Sequence, residues 1–279
     1  MKPTGFLLMA VLLVAPARSL AQNKLDNSKR ELKAESSPSS SMSSRSSSSD
    51  DDSDSGSFFV EEILWPAIEY TVWAVGKYGL IGDYNNEDHL YNGLTRYPYE
   101  FDEAGNYLRA VDTVRRYVFR IDASDKYLHT TGFMYGNQLD VKVRPHEAFY
   151  LKMGYRHLFE KNQATGKTND LAITDFSFAY DRVRTERFNL GWSIGYTHVF
   201  SGVNKGGINL GLNAEYFMRR RISFLGAAQW AWVNSQPIRN LELETRWHRK
   251  NFFIGAGYEN IKIASSKFNF MTLGGGLSF

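Results

Sequence analysis

"FNLGWSIGYTHVF", residues 188–200, decides how the rest of the chain is read. Its centre, Gly191-Trp192-Ser193-Ile194-Gly195, fits G-x-S-x-G, the elbow of a hydrolase in which a serine sits on a sharp strand-to-helix turn. The flanking residues argue for a different backbone. Phe188, Leu190, Trp192, Ile194 and Tyr196 fall on one face of a period-two element, and Asn189, Gly191, Ser193, Gly195 and Thr197 on the other. A strand running through the pentapeptide leaves no elbow, so Ser193 is expected to be a small residue on a polar face. Serine chemistry would then need a histidine supplied by the fold. His157, His198 and His248 are the candidates, and the phase places His198 opposite Ser193.

Working outward, the same alternation recurs. Ile208, Leu210, Leu212, Ala214 and Tyr216 oppose Asn209, Gly211, Asn213 and Glu215; Leu241, Leu243 and Trp247 oppose Glu242, Glu244, Arg246 and His248; Phe252, Ile254 and Tyr258 oppose Gly255, Gly257 and Glu259. Further runs lie at 117–121, 127–135, 139–143, 149–158, 171–180, 222–232 and 268–279. About eleven candidates result, many of them long enough for a tilted bilayer path. The expected fold is all-β: an antiparallel transmembrane barrel of ten strands, with eight or twelve as alternatives, occupying 107–279. Apolar residues would face lipid and polar ones the lumen, and Trp192, Tyr196, Trp230, Trp232, Trp247 and Tyr258 would form interfacial girdles. A soluble β-sandwich is the competing architecture, since it alternates too. The stretches "EKNQATGKTND", "SGVNKGG", "NSQP" and "IASSK" would be the longer, external connectors, and "RPHE", "RVRTER", "RRR" and "HRKN" would mark the tighter periplasmic junctions.

Upstream, "MKPTGFLLMAVLLVAPARSLAQ" has the basic start, short apolar run and small-x-small end of a secretory signal, giving an expected cleavage after Ala21. Residues 22–57 include a Ser- and Asp-rich stretch with almost nothing to bury, which predicts a disordered periplasmic tether. Asp50, Asp52, Asp54 and Glu61 echo calcium-loop spacing, but Ser55 stands where the turn needs glycine, so a solvated acidic run is expected. Residues 58–106 form an amphipathic and loop segment, in which 58–84 either lies on a membrane surface or packs as an ordinary helix or strand and the stretch after Tyr84 is punctuated as a loop. Cysteine is absent, which excludes a disulfide framework and a thiol-linked lipid. A net charge of +3 over 279 residues is too small to suggest a nucleic-acid partner. No cofactor is expected, and the histidines show no compact metal-ligand spacing.

The chain ends "FNFMTLGGGLSF", with Met271, Leu273, Gly275, Leu277 and Phe279 on alternate positions. With this ending and the strands before it, the sequence resembles bacterial outer-membrane β-barrel proteins. The resemblance implies an outer-membrane location, contact with outer-membrane lipid and recognition of the end by the barrel-assembly machinery. Met271, Leu273, Leu277 and Phe279 would then be the assembly signal. No particular subfamily, substrate, or periplasmic or extracellular partner follows.

Glu215, Glu242, Glu244, Arg246 and Glu259 fall on the inward phase and are expected to form a lumen network, with Glu242 and Glu244 balanced by Arg246 rather than acting as an acid–base pair. The function expected is therefore structural or binding, without a catalytic residue. The alternatives are a narrow passive pore, porin-like in kind, and a lipid-modifying enzyme.

Overall fold

The computed structural model describes residues 24–34, 75–100, 105–109, 119–130, 134–162, 166–218 and 221–279. The expected signal, the acidic run at Asp50–Asp54 and most of the expected tether lie outside these residues.

Ten strands close into one antiparallel barrel: β3 (Arg120–Thr130), β4 (Met134–Arg144), β5 (Phe149–Lys161), β6 (Thr168–Arg184), β7 (Phe188–Val199), β8 (Lys205–Met218), β9 (Ile222–Val233), β10 (Gln236–Arg249), β11 (Phe252–Ile263) and β12 (Ser266–Ser278). Each strand pairs with its sequence neighbours, and β12 returns to β3, with Met271 opposite His129 and Ser278 opposite Asp122. Closure leaves no open edge, which a bilayer requires because hydrocarbon offers backbone groups no partner. The two-residue β9–β10 turn has Asn234 and Ser235 both at positive φ (50° and 64°), which suits the twist of the flanking strands.

Alternation in β7 is as the sequence dictates. Ile194 and Tyr196 are 47% and 52% exposed on the outer wall, while Asn189 and Thr197 are buried inside. The apolar outer surface continues through Leu210, Leu212, Leu241, Leu243, Ile254, Met271 and Leu273. A sandwich would have buried these side chains in its core; here they face outward, and burying them in lipid supplies the hydrophobic stabilisation. Among the described residues no helix is long and apolar enough to cross a membrane.

The barrel begins at Arg120 rather than Tyr107, and the expected strands at 117–121, 127–135 and 139–143 resolve into β3 and β4. The polar run Asp122–Lys126 breaks the apolar pattern and so resembles a turn. It remains in strand because its inward members find partners: Ser278 Oγ of the neighbouring β12 donates to Asp122 at 2.6 Å, and Lys126 Nζ lies 2.5 Å from Glu242 across the lumen.

Both mouths are covered. At one, α1 (Lys24–Lys33) places Leu25, Ser28 and Leu32 on a single buried face, with Asp26 in its first turn and Arg30 and Lys33 in its last, as the helix dipole favours. This segment was expected to be part of a disordered tether. A ten-residue helix is marginal alone, and its stability comes from docking. Leu25 and Leu32 join Leu128, Leu158, Ile173, Val233, Ile261 and Phe270 in an apolar collar. Inward residues are therefore polar through the middle of the barrel but apolar at this mouth. The connectors here include 162–167 and 200–204, drawn from the set expected outside, while the N-terminal segment was expected in the periplasm. For residues 24–34 those two expectations are incompatible.

At the opposite mouth a small hairpin, β1 (Gly93–Leu94) with β2 (Tyr107–Leu108), sits over the lumen. Tyr107 is fully buried, its hydroxyl 2.6 Å from Asp181 and 2.9 Å from the Glu147 carbonyl. Arg120 donates to the Thr95 carbonyl (3.2 Å) and to Asn106 Oδ1 (3.0 Å). Tyr99 Oη lies 2.6 and 2.5 Å from the carbonyls of Met218 and Ile222.

A π-helical turn, Val75–Ile81, runs along the outer rim of this second mouth. Trp192 Nε1 donates to the Leu80 carbonyl at 2.9 Å and Tyr180 Oη to that of Ile81 at 2.7 Å. A register shift between Asp181 and Val183 accompanies the outward contacts of Arg182, which donates to the Tyr78 carbonyl (2.6 Å) and to Glu87 (2.7 Å). Tyr78, Leu80, Ile81 and Tyr84 remain exposed.

Candidate functional site

Between the two caps lies a cavity of about 100 Å³ within the barrel, lined by charged and polar side chains from most of the strands. Alternation sends every second residue of each strand inward, so carboxylates and cations distant in sequence meet across the lumen.

Their pairing is specific. Arg246 lies 3.0 Å from Glu244 and 3.7 Å from Glu215. Lys126 lies 2.5 Å from Glu242 and 3.8 Å from Asp140. Arg156 pairs with Glu259 and also donates to Gln138. Nearer the hairpin, Arg144 reaches Asp181 at 2.9 Å and Asp122 at 3.3 Å, while Arg120 reaches Asp122 at 3.0 Å. All five residues expected in the lumen network point inward. The expected partnership is corrected in one respect: Glu244 takes Arg246, whereas Glu242 takes Lys126 of β3. Lys126, Arg156, Asp122, Arg144 and Asp181 were missed, although their alternate spacing in β3 to β6 places them on the inward phase. Such pairs are needed because an unpaired buried charge is costly, and breaking one costs more than the pair contributes.

Ser193 lines the cavity from within a continuous strand, and the elbow geometry is absent. None of the three candidate histidines bonds to it. His157 reaches Asp170 at 3.1 Å, His198 packs on Phe200 with ring centres 4.4 Å apart, and His248 Nε2 lies 2.8 Å from Ser223 Oγ. Ser223 in turn donates to Glu215 at 2.8 Å, so the hydroxyl stands between imidazole and carboxylate, unlike a nucleophile–base–acid chain. Ser223 is fully buried, and Phe217 and Tyr99 crowd His248. Among the described residues no cluster of three or more His, Cys, Asp or Glu side chains could hold a metal.

The motif's glycines have another explanation. A Cβ on Gly195 would lie 2.1 Å from the Phe176 carbonyl oxygen and 2.5 Å from Ser177 Cα, and one on Gly191 would lie 2.8 Å from the Tyr180 carbonyl. These glycines allow β7 to approach β6 closely.

Met271, Leu273, Leu277 and Phe279 all project outward from the β12 end, between 43% and 68% exposed.

A closed ten-strand barrel with an apolar outer wall and a charged interior is an outer-membrane β-barrel protein by class, crossing its membrane with strands. No family model matches the chain, and no curated protein matches it by sequence. Solved structures similar to it are outer-membrane barrels. A KdgM porin in complex with disordered oligogalacturonate is 10% identical, with 57% of this chain and 99% of that one covered and a TM-score of 0.34. Ail of Yersinia pestis in a phospholipid nanodisc is 11% identical over 58% and 99%, at 0.33. The N-terminal barrel domain of Pseudomonas aeruginosa OprF is 14% identical over 58% and 96%, at 0.27. At these values the likeness does not extend to ligand or activity.

Proposed function

We propose that this protein is a sealed, non-catalytic outer-membrane barrel with a structural or binding role, plugged at one mouth by its own N-terminal helix. One observation carries the reading: Leu25 and Leu32 of α1 are fully buried in the apolar collar, while the Glu160 carboxylate accepts the backbone N–H groups of Lys24 (3.2 Å) and Leu25 (2.8 Å) at the helix start. Those free N–H groups and the helix dipole favour a carboxylate there. At the far end, Asn234 Nδ2 donates to the carbonyl of Leu32 at 2.8 Å.

Planar-bilayer recording tests the reading. The intact chain is expected to give no steady conductance, and Leu25→Asp with Leu32→Asp, which frees only one of the two covered mouths, should release α1 from its collar, read as lost hydrogen-exchange protection of residues 24–34. Steady conductance from the intact chain would instead favour the narrow-pore reading, which the hydrophilic lumen supports. We further propose that the Phe279 end is read by the assembly machinery, as the outward apolar side chains of β12 suggest.

A further inference from the structure

Seven cations line the lumen cavity: Arg120, Lys126, Lys142, Arg144, Lys152, Arg156 and Arg246. Five have a carboxylate within salt-bridge distance. The other two, Lys142 and Lys152, make no hydrogen bond or ion pair among the described residues, and they are directly opposite each other in the β4–β5 register. Like charges in that position repel. Lys142 Nζ has only a ring nearby, 5.9 Å from the centre of Tyr150, and it also feels Arg144 and Arg246, against Glu215. Gly154 and Asp175, the neighbouring inward pair, offer Lys152 a carboxylate, but Asp175 is committed to Thr197 and to Gln229 (3.0 Å). A barrel that pairs its other cavity-lining cations has left two side by side, facing an internal space that could hold a counter-ion.

We propose that Lys142 and Lys152 form an internal anion site for a small doubly charged oxyanion of the phosphate class. Their six N–H donors suit several acceptor oxygens on one centre, and two charges on the ligand balance two lysines. The cavity, about 100 Å³, has room for several waters or for one tetrahedral oxyanion. The strand wall separates the site from lipid, so the ligand is a free anion rather than a lipid headgroup. The site belongs to the barrel wall and does not depend on whether α1 seals its mouth.

The test uses the full-length protein in detergent, refolded in inorganic phosphate or in chloride of equal ionic strength. Native protein should retain close to one labelled phosphate per chain after desalting and unfold several degrees higher in phosphate than in chloride. Lys142→Met with Lys152→Met should retain none, lose the phosphate response and unfold in chloride no lower than native, because the repulsion is gone. Lys161→Met, at the end of β5, should behave as native. Should the double variant not fold, Lys142→Gln removes the charge while keeping a polar side chain and should weaken phosphate binding at least tenfold. A native protein indifferent to phosphate, which a cavity holding only water would give, overturns the proposal; so does equal phosphate binding by native protein and the variants.

Discussion

Phe279 and Ile121 exchange two backbone hydrogen bonds, Ile121 N to Phe279 O at 3.0 Å and Phe279 N to Ile121 O at 2.8 Å. The final residue thus extends the β12–β3 seam by its backbone while its ring points outward, 62% exposed. The two contributions can be separated. Phe279→Leu keeps the backbone pair and an apolar lipid contact, and should leave membrane insertion close to native. Phe279→Asp keeps only the backbone pair and should lower the heat-modifiable, membrane-inserted fraction several-fold, as read by gel mobility of outer-membrane fractions. Equal yields would remove the ring from the assembly signal. Ser278→Ala is a poor control for this purpose, because the Ser278 hydroxyl holds Asp122.

The G-x-S-x-G stretch makes a contrasting pair. Ser193 has open cavity beside it, so Ser193→Ala should alter stability by no more than about 0.5 kcal/mol, the range of substitutions away from special features. Gly195→Val would force a side chain against the β6 backbone and should cost about 1–3 kcal/mol, the usual range for overpacking. Thermal unfolding followed by circular dichroism decides between this ordering and its reverse, which would restore a special role to the serine.

Within the lumen, Arg156→Leu should cost about 3–5 kcal/mol by leaving Glu259 buried without its cation. Arg156→Leu combined with Glu259→Leu should recover most of that loss. A double variant no better than the single would show that the two charges are not coupled.

The rim segment should be acid-sensitive. The Glu87 carboxyl is held below its ordinary value of 4.5, first by the hydrogen bonds from Arg182, and the Asp83 carboxyl is lowered by Asn86. A depressed carboxyl contributes stability above its unfolded pKa and loses it as pH falls through the folded one. Burial lowers His89 from 6.5, so its protonation also opposes attachment as pH falls. Residues 75–91 should therefore be protected from hydrogen exchange at pH 7 and lose that protection in acid, beginning below about pH 6.5 and growing below 4.5. Glu87→Gln should weaken protection at pH 7 and flatten its lower step. An unchanged pH profile in Glu87→Gln would count against the Arg182 clamp.

Much of the barrel was legible because lipid and lumen impose opposite polarity on alternate residues, so β7, β8, β10, β11 and β12 show their phase residue by residue. Alternation misleads where that rule is locally suspended. Inward apolar residues such as Ile261, Ile263, Phe268 and Phe270 look like ordinary strand interior until α1 is seen against them. The helix has just two leucines seven residues apart, too sparse a stripe to stand out, since its stability comes from the collar. In the candidate site, the phase identified Glu242 and Glu244 as inward but not their partners. Lys126 meets Glu242 across the ring, and partners so placed depend on barrel size and stagger, which alternation within a strand does not encode.

The charged pairs also have a mechanical consequence. Strand-to-strand hydrogen bonds hold the ring's circumference, yet a ring of fixed circumference can still flatten into an ellipse. Arg156 on β5 and Glu259 on β11 stand four strands apart around a ten-strand circle, and Lys126 on β3 and Glu242 on β10 stand three apart. These contacts act as spokes: they fix chords as well as perimeter, so lateral pressure from the bilayer meets a cross-section braced from within.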